Sequence, residues 1–217
     1  MILREDGSVW STIIALHDDS FPSRVVSKHF VQMIPSGAVA LAAGHGYSMV
    51  VRQDGNVWAT GRNARGQLGD GTRTKRDAFK SVQMISFAKD VAAGSCHTMV
   101  LTQEGYVWAT GWNKYGQVGD GSNYGRTRFI VVMSSEAEAV ATGDIHSIVL
   151  KQNGSVWAVG RNNNGQLGDG SRDDRSSFTK VISGGVANVF AGRNLLFLPC
   201  TPHARCAPKY AAWPHTP

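Results

Sequence analysis

The sequence predicts an all-β fold: a β-propeller of four-stranded blades, with about four repeats present as a partial propeller. Three observations predict it. The phrase Gly-x-Asn-x-x-Gly-Gln-(Leu/Val)-Gly-Asp-Gly occurs at 61–71, 111–121 and 160–170. A Val-Trp pair precedes each copy, and Trp10, Trp58, Trp108 and Trp157 follow one another at steps of 48, 50 and 49 residues. Each step holds four short apolar runs, the content of one propeller blade.

Within the second unit, Ser48–Arg52 and Val57–Thr60 are β-rich runs separated by Gln-Asp-Gly-Asn. Asp54-Gly55 there predicts a two-residue type I′ hairpin, which needs positive φ at both central positions. Asp6-Gly7, Glu104-Gly105 and Asn153-Gly154 fill the same slot. The glycine-rich phrase comes next and reads as a loop, because glycine density of this kind breaks strands. A third run follows (Phe129–Met133 in the next unit), then a fourth, Glu138–Thr142. The fourth run ends in a small motif. Ala93-Gly94-Ser95-Cys96-His97-Thr98 matches Thr142-Gly143-Asp144-Ile145-His146-Ser147. The earlier copy carries Tyr47 in the histidine slot, and the last, Ala191 to Leu195, has neither histidine nor hydroxyl.

The units divide the chain at about 1–47, 48–97, 98–146 and 147–194, with units two and three intact. In unit one the residues after Trp10 do not form the glycine-rich phrase, although Val31-Gln-Met-Ile34 returns as Val82-Gln-Met-Ile85. From 195 to 217 the composition changes. Five of the chain's seven prolines fall there, so a disordered or unrelated tail is expected. Four blades leave strand edges open, so the chain is expected either to be part of a longer propeller or to complete the ring by self-association.

Composition narrows the function. The chain has 217 residues, 42% hydrophobic and 18% charged, which suits a globular protein with a sizeable core. No apolar run reaches the ~18 residues of a membrane span, and the first residues do not read as a signal peptide. Three cysteines without metal-ligand spacing predict neither a disulfide framework nor a zinc site. A cytoplasmic or nuclear location is expected. The net charge of +6 is modest, which makes nucleic acid an unfavoured partner. No nucleophile motif or P-loop is present, so no enzyme and no cofactor are expected.

Most repeated polar residues read as structural. His97 and His146 recur one per unit, whereas an active site gathers unlike residues in one place. Asp70, Asp120 and Asp169 each precede an arginine by six residues (Arg76, Arg126, Arg175), and a carboxylate–guanidinium pair pinning the loop is expected in preference to calcium. Trp10, Trp58, Trp108 and Trp157 are expected to fill blade cores. The rest of the repeat motif is Gly66, Gln67, Gly69, Gly71, Gly116, Gln117, Gly119, Gly121, Gly165, Gln166, Gly168 and Gly170. Trp112 is extra and lies in a loop. The candidate partner-binding residues are Arg73, Lys75, Arg126, Arg128 and Arg172, which follow the Asp-Gly pairs in loops on one side of neighbouring blades. Asp77, Asp173 and Asp174 dilute that band.

Together these motifs resemble the regulator-of-chromosome-condensation repeat family, over about residues 1–194. The resemblance implies a β-propeller, usually seven-bladed. It implies a non-catalytic scaffold that binds another protein, with a small GTPase or a chromatin protein as the possible partners. Guanine-nucleotide exchange, the activity of the family's founding member, and a propeller fragment of a HECT-type ubiquitin ligase are the alternatives. The units carry no wedge-like insertion, so exchange residues are not carried over.

Overall fold

The computed structural model describes residues 1–15, 25–82, 85–192 and 195–197. Every regular element in them is a β-strand. A three-stranded sheet comes first: β1 (Ile2–Leu3), β2 (Val9–Ala15) and β3 (Val25–Ile34). Three four-stranded antiparallel sheets follow. The first contains β4 (Ala38–Ala43), β5 (Tyr47–Arg52), β6 (Val57–Gly61) and β7 (Arg76–Val82). The second contains β8 (Ala88–Ala93), β9 (His97–Thr102), β10 (Val107–Gly111) and β11 (Arg126–Met133). The third contains β12 (Ala137–Thr142), β13 (His146–Lys151), β14 (Val156–Gly160) and β15 (Arg175–Ile182). A pair, β16 (Phe190–Gly192) and β17 (Leu195–Phe197), ends the described array. The fold is a partial β-propeller.

The sheets are phased one strand earlier than the sequence units. The fourth run of each unit pairs with the hairpin of the next: β8 lies beside β9, and β12 beside β13. Three complete blades therefore span 38–82, 88–133 and 137–182, where the sequence units marked only two as intact. β17 also carries the array to Phe197, three residues into the segment read as tail. The remainder of that segment, with Cys200 and Cys206, lies outside the described residues.

The hairpin turns differ from type I′. Only the glycine has positive φ: 73° at Gly7, 75° at Gly55, 83° at Gly105 and 74° at Gly154. Gly55 N–H donates to Arg52 O, and Arg52 N–H to Asn56 O, which is a type I turn closed by a left-handed glycine. The preceding Asp54 serves as a cap instead, its Oδ1 accepting Asn56 N–H at 3.0 Å. These turns also tie blades together. The carbonyls of Gly7, Gly55 and Gly105 accept the N–H groups of Ala38, Ala88 and Ala137, the first residues of the next blades.

The core lies between blades. One cluster joins Met49, Val51, Val57, Ala59 and Leu68 of the first complete blade to Ala88, Val91, Val100 and Phe129 of the second. Another joins Met99, Leu101, Val107, Ala109 and Val118 to Ala137, Val140 and Val149 of the third. The repeating tryptophans sit at the rims of these clusters rather than at their centres. Strand alternation explains this: in β6, Val57 and Ala59 take the fully buried positions, and Trp58 between them is half-buried. The exposed indole faces are covered by cations, with the Arg52 guanidinium 5.1 Å from the Trp58 ring and the Lys151 ammonium 5.2 Å from Trp157.

Candidate partner-binding loops

Each glycine-rich loop is built around one asparagine. In the first complete blade, Asn63 is buried, its Oδ1 accepts Leu68 N–H at 3.0 Å, and its Nδ2 reaches Asp70 Oδ1, Thr72 O and Thr74 O at 3.1–3.2 Å. Gln67 Oε1 accepts Arg65 N–H. Asn113 and Gln117, then Asn162 and Gln166, repeat the arrangement. Buried amides of this kind hold a loop in one shape because every lost bond leaves a desolvated group.

The aspartates complete the lock. Asp70 Oδ2 lies 2.8 Å from Arg76 Nε, Asp120 Oδ2 lies 2.7 Å from Arg126 Nε, and Asp169 Oδ2 lies 2.8 Å from Arg175 Nε. The other oxygen of each caps the residue two positions on, Thr72, Ser122 or Ser171. Burial alone would raise the Asp169 carboxyl, but the bonds from Ser171, Arg175 and Asn162 hold it down at about 2. The three carboxylates are consumed by guanidinium, hydroxyl and amide partners. Among the described residues, no group of three His, Cys, Asp or Glu side chains is placed to hold a metal ion.

The loops then dock on the next blade. Gly71 N–H donates to Thr127 O at 2.8 Å, and Gly121 N–H to Ser176 O at 2.9 Å. A Cβ on Gly69 would come within 2.2 Å of the Phe129 ring, and one on Gly119 within 2.4 Å of the Phe178 ring. Glycine is required because an aromatic ring of the neighbouring outer strand fills the space. The third loop is different: Gly165 meets only one oxygen at 4.0 Å, and Gly170 meets nothing within 4 Å.

The histidine slot is a second fastener between blades. His97 is fully buried, with Nε2 2.9 Å from Ser147 Oγ of the next blade. Ser147 Oγ donates to Gln117 O at 2.7 Å, so its single proton is committed and His97 Nε2 must be the donor. Tyr47, one blade earlier, donates its hydroxyl to His97 O at 2.5 Å. Burial lowers the His97 pKa to about 3 and keeps the ring neutral. The ring rests on Gly94, where a Cβ would lie 2.2 Å from its Cε1. Tyr47 rests on Gly44 and His146 on Gly143 in the same way.

The candidate binding residues divide. Arg73, Lys75, Arg128 and Arg172 are exposed. Lys75 lies 3.7 Å from Asp77, an exposed pair of little energetic weight. Arg126 is partly exposed and pairs with Asp120, as the six-residue spacing predicts, so it also holds its own loop. Sequence reasoning also missed a cluster at the start of the loops. The Trp112 and Tyr115 rings meet edge to face at 5.5 Å. The Arg65 guanidinium of the preceding blade lies 5.8 Å from the Trp112 ring, and Arg161 of the following blade 5.0 Å from Tyr115. The available signal was that Trp112 occupies the slot filled by Arg62 and Arg161 in the other copies.

Comparison with known proteins identifies this architecture. Residues 38–67, 88–117 and 138–166 match one family model described as the regulator of chromosome condensation (RCC1) repeat, and residues 54–101 and 153–197 match a second with the same description. No curated protein sequence matches the chain. Among solved structures, human WBSCR16 is similar at 24% identity and a TM-score of 0.69, covering 86% of this chain and 54% of that one. Yeast RCC1 (Prp20) bound to Kap60 is similar at 21% identity and a TM-score of 0.67, covering 78% and 43%. Prp20p from Saccharomyces cerevisiae, whose structure was presented with its binding properties to Gsp1p and histones, gives 20% identity and a TM-score of 0.62, covering 78% and 44%. The chain thus spans about half the length of the solved relatives it matches. It belongs to the regulator of chromosome condensation repeat family.

Proposed function

We propose that this chain is a non-catalytic protein-binding scaffold of the cytoplasm or nucleus, which presents the outer side chains of its glycine-rich loops to another protein. One observation carries the reading. The polar groups that recur in every blade (asparagine, glutamine, aspartate, arginine and the histidine slot) are spent on holding loops and joining blades. What varies between blades, and is left at the surface, is the loop side chains on a rigid frame. Rigid presentation of variable loops is how repeat arrays bind partners.

A second reading has one specific support. The solved relative Prp20p is described by its binding to Gsp1p and histones, so a small GTPase or a chromatin protein is the partner class to try first, with nucleotide exchange on the GTPase as the alternative activity.

The experiment is capture of crosslinked partners from cells, followed by reconstitution of each as a purified two-protein complex. A saturable complex that leaves guanine-nucleotide release unchanged is the expected result. Accelerated release from a GTPase would replace the scaffold with an exchange factor. No reproducible two-protein complex would remove both readings.

A further inference from the structure

We infer that the aromatic–cation ladder across the three complete blades is the docking site, and that it takes an acidic, extended peptide segment of a partner protein. The inference rests on the scaffold reading and names the partner's chemistry. Arg65, Trp112, Tyr115 and Arg161 form a contiguous series through contacts of 5.8, 5.5 and 5.0 Å, and Lys114 lies 5.6 Å from the Tyr115 ring.

Three features make this a binding surface. First, its charge is predominantly positive. The segments 61–65, 111–115 and 160–164 hold four cations, Arg62, Arg65, Lys114 and Arg161, and no acid of their own, and the Asp174 carboxylate reaches the third segment, where it accepts Asn162 N–H at 2.7 Å. Second, three of these cations have no carboxylate partner. Among the described residues, Arg65, Lys114 and Arg161 form no ion pair, and their charged ends lie against aromatic rings. Stacking on a ring restrains a guanidinium while leaving its in-plane N–H donors free to take a carboxylate in bidentate fashion. Third, the mounting is rigid. Trp112 N–H donates to Cys96 O at 2.8 Å and Arg161 N–H to Ile145 O at 3.0 Å. The neighbouring Asn113 and Asn162 anchor their loops in the protein. Little backbone entropy therefore remains to be lost on binding.

The occupant follows from the same geometry. The cations come from three successive blades, so they suit carboxylates spaced along an extended chain. A nucleic acid strand is disfavoured: it needs open ring faces for its bases, and here Trp112 carries Arg65 while Tyr115 carries both Lys114 and Arg161.

The test is anisotropy titration of a fluorescein-labelled oligoglutamate peptide, with labelled oligothymidylate as the competing chemistry. The whole chain should bind oligoglutamate in a salt-sensitive manner, oligoglutamine not at all, and oligothymidylate more weakly. Arg65→Glu with Arg161→Glu should weaken oligoglutamate binding by about tenfold or more. Lys80→Glu with Lys89→Glu, exposed on β7 and β8 outside the loops, should change it less than about twofold. If the first pair of substitutions disturbs folding, Lys114→Glu alone gives the same reading, since its side chain is exposed. Equal losses from both pairs would mean a diffuse charge effect and overturn the site, and tighter binding of oligothymidylate would overturn the occupant. If a purified partner still binds the Arg65→Glu, Arg161→Glu protein normally, the ladder falls while the scaffold reading stands.

Discussion

His97 shows how one side chain can serve the fold and set its pH response. An unfolded histidine takes up a proton near 6.5, but the buried ring refuses it until about 3. Between those values the unfolded chain binds more protons, so stability rises with pH across the window and is lost on acidification. His97→Tyr should flatten this dependence by up to about 1.4 kcal/mol per pH unit, as read from urea melts through the window. The protein already carries the replacement: Tyr47 fills the equivalent slot, stacks on Gly44 and bonds the carbonyl of the next blade. An unchanged pH slope in the variant would show that His97 is not the group that titrates. The structural role of this histidine was legible in the sequence from its repetition. Its tautomer was not, because the tautomer depends on Ser147 Oγ, a residue 50 positions away whose proton goes to Gln117 O.

At the scale of the element, the glycine-rich loop is written three times on one glycine pattern but does two different things. Gly119 has φ 83° and Gly170 has φ 81°, so alanine costs about 1–2 kcal/mol at either from backbone strain alone. At Gly119 the added carbon also strikes the Phe178 ring, which adds about 1–3 kcal/mol, whereas at Gly170 it meets nothing. Gly119→Ala should therefore lower the midpoint of chemical denaturation more than Gly170→Ala, and equal effects would argue against the docking of loop on neighbouring strand. The sequence marked these loops without ambiguity, because Gly-Gln-Leu-Gly-Asp-Gly has no strand reading. It could not say which glycines are covered, since that is decided by an outer strand about 60 residues further on. The hairpins were placed correctly and their turn type was not. Asp54-Gly55 suits type I′ locally, but the side-chain cap on Asn56 keeps the aspartate out of positive φ. The tryptophans misled for a related reason: size predicts burial, yet Val57 and Ala59 hold the buried positions and Trp58 takes the rim.

Across the whole molecule, stability lies at the boundaries between blades. The apolar clusters straddle them, the turn glycines bond across them, and Tyr47, His97 and the glycine-rich loops fasten them. Repetition made the propeller legible from sequence, because each unit needs its neighbour to bury its faces. The binding ladder was less legible because it breaks the repetition: Trp112 and Tyr115 stand in the middle blade where the flanking blades have arginine or asparagine. The most direct measurement on the interlocked frame is amide hydrogen exchange, resolved by NMR, at Gly71, Gly121 and Gly170. The first two donate to the next blade, while the Gly170 N–H has no acceptor among the described residues. Slow exchange at Gly71 and Gly121, in the range of the central strands, with fast exchange at Gly170, is the expected result. Exchange at Gly71 and Gly121 as fast as at Gly170 would contradict it, and would leave the loops as independent appendages rather than the joints of the array.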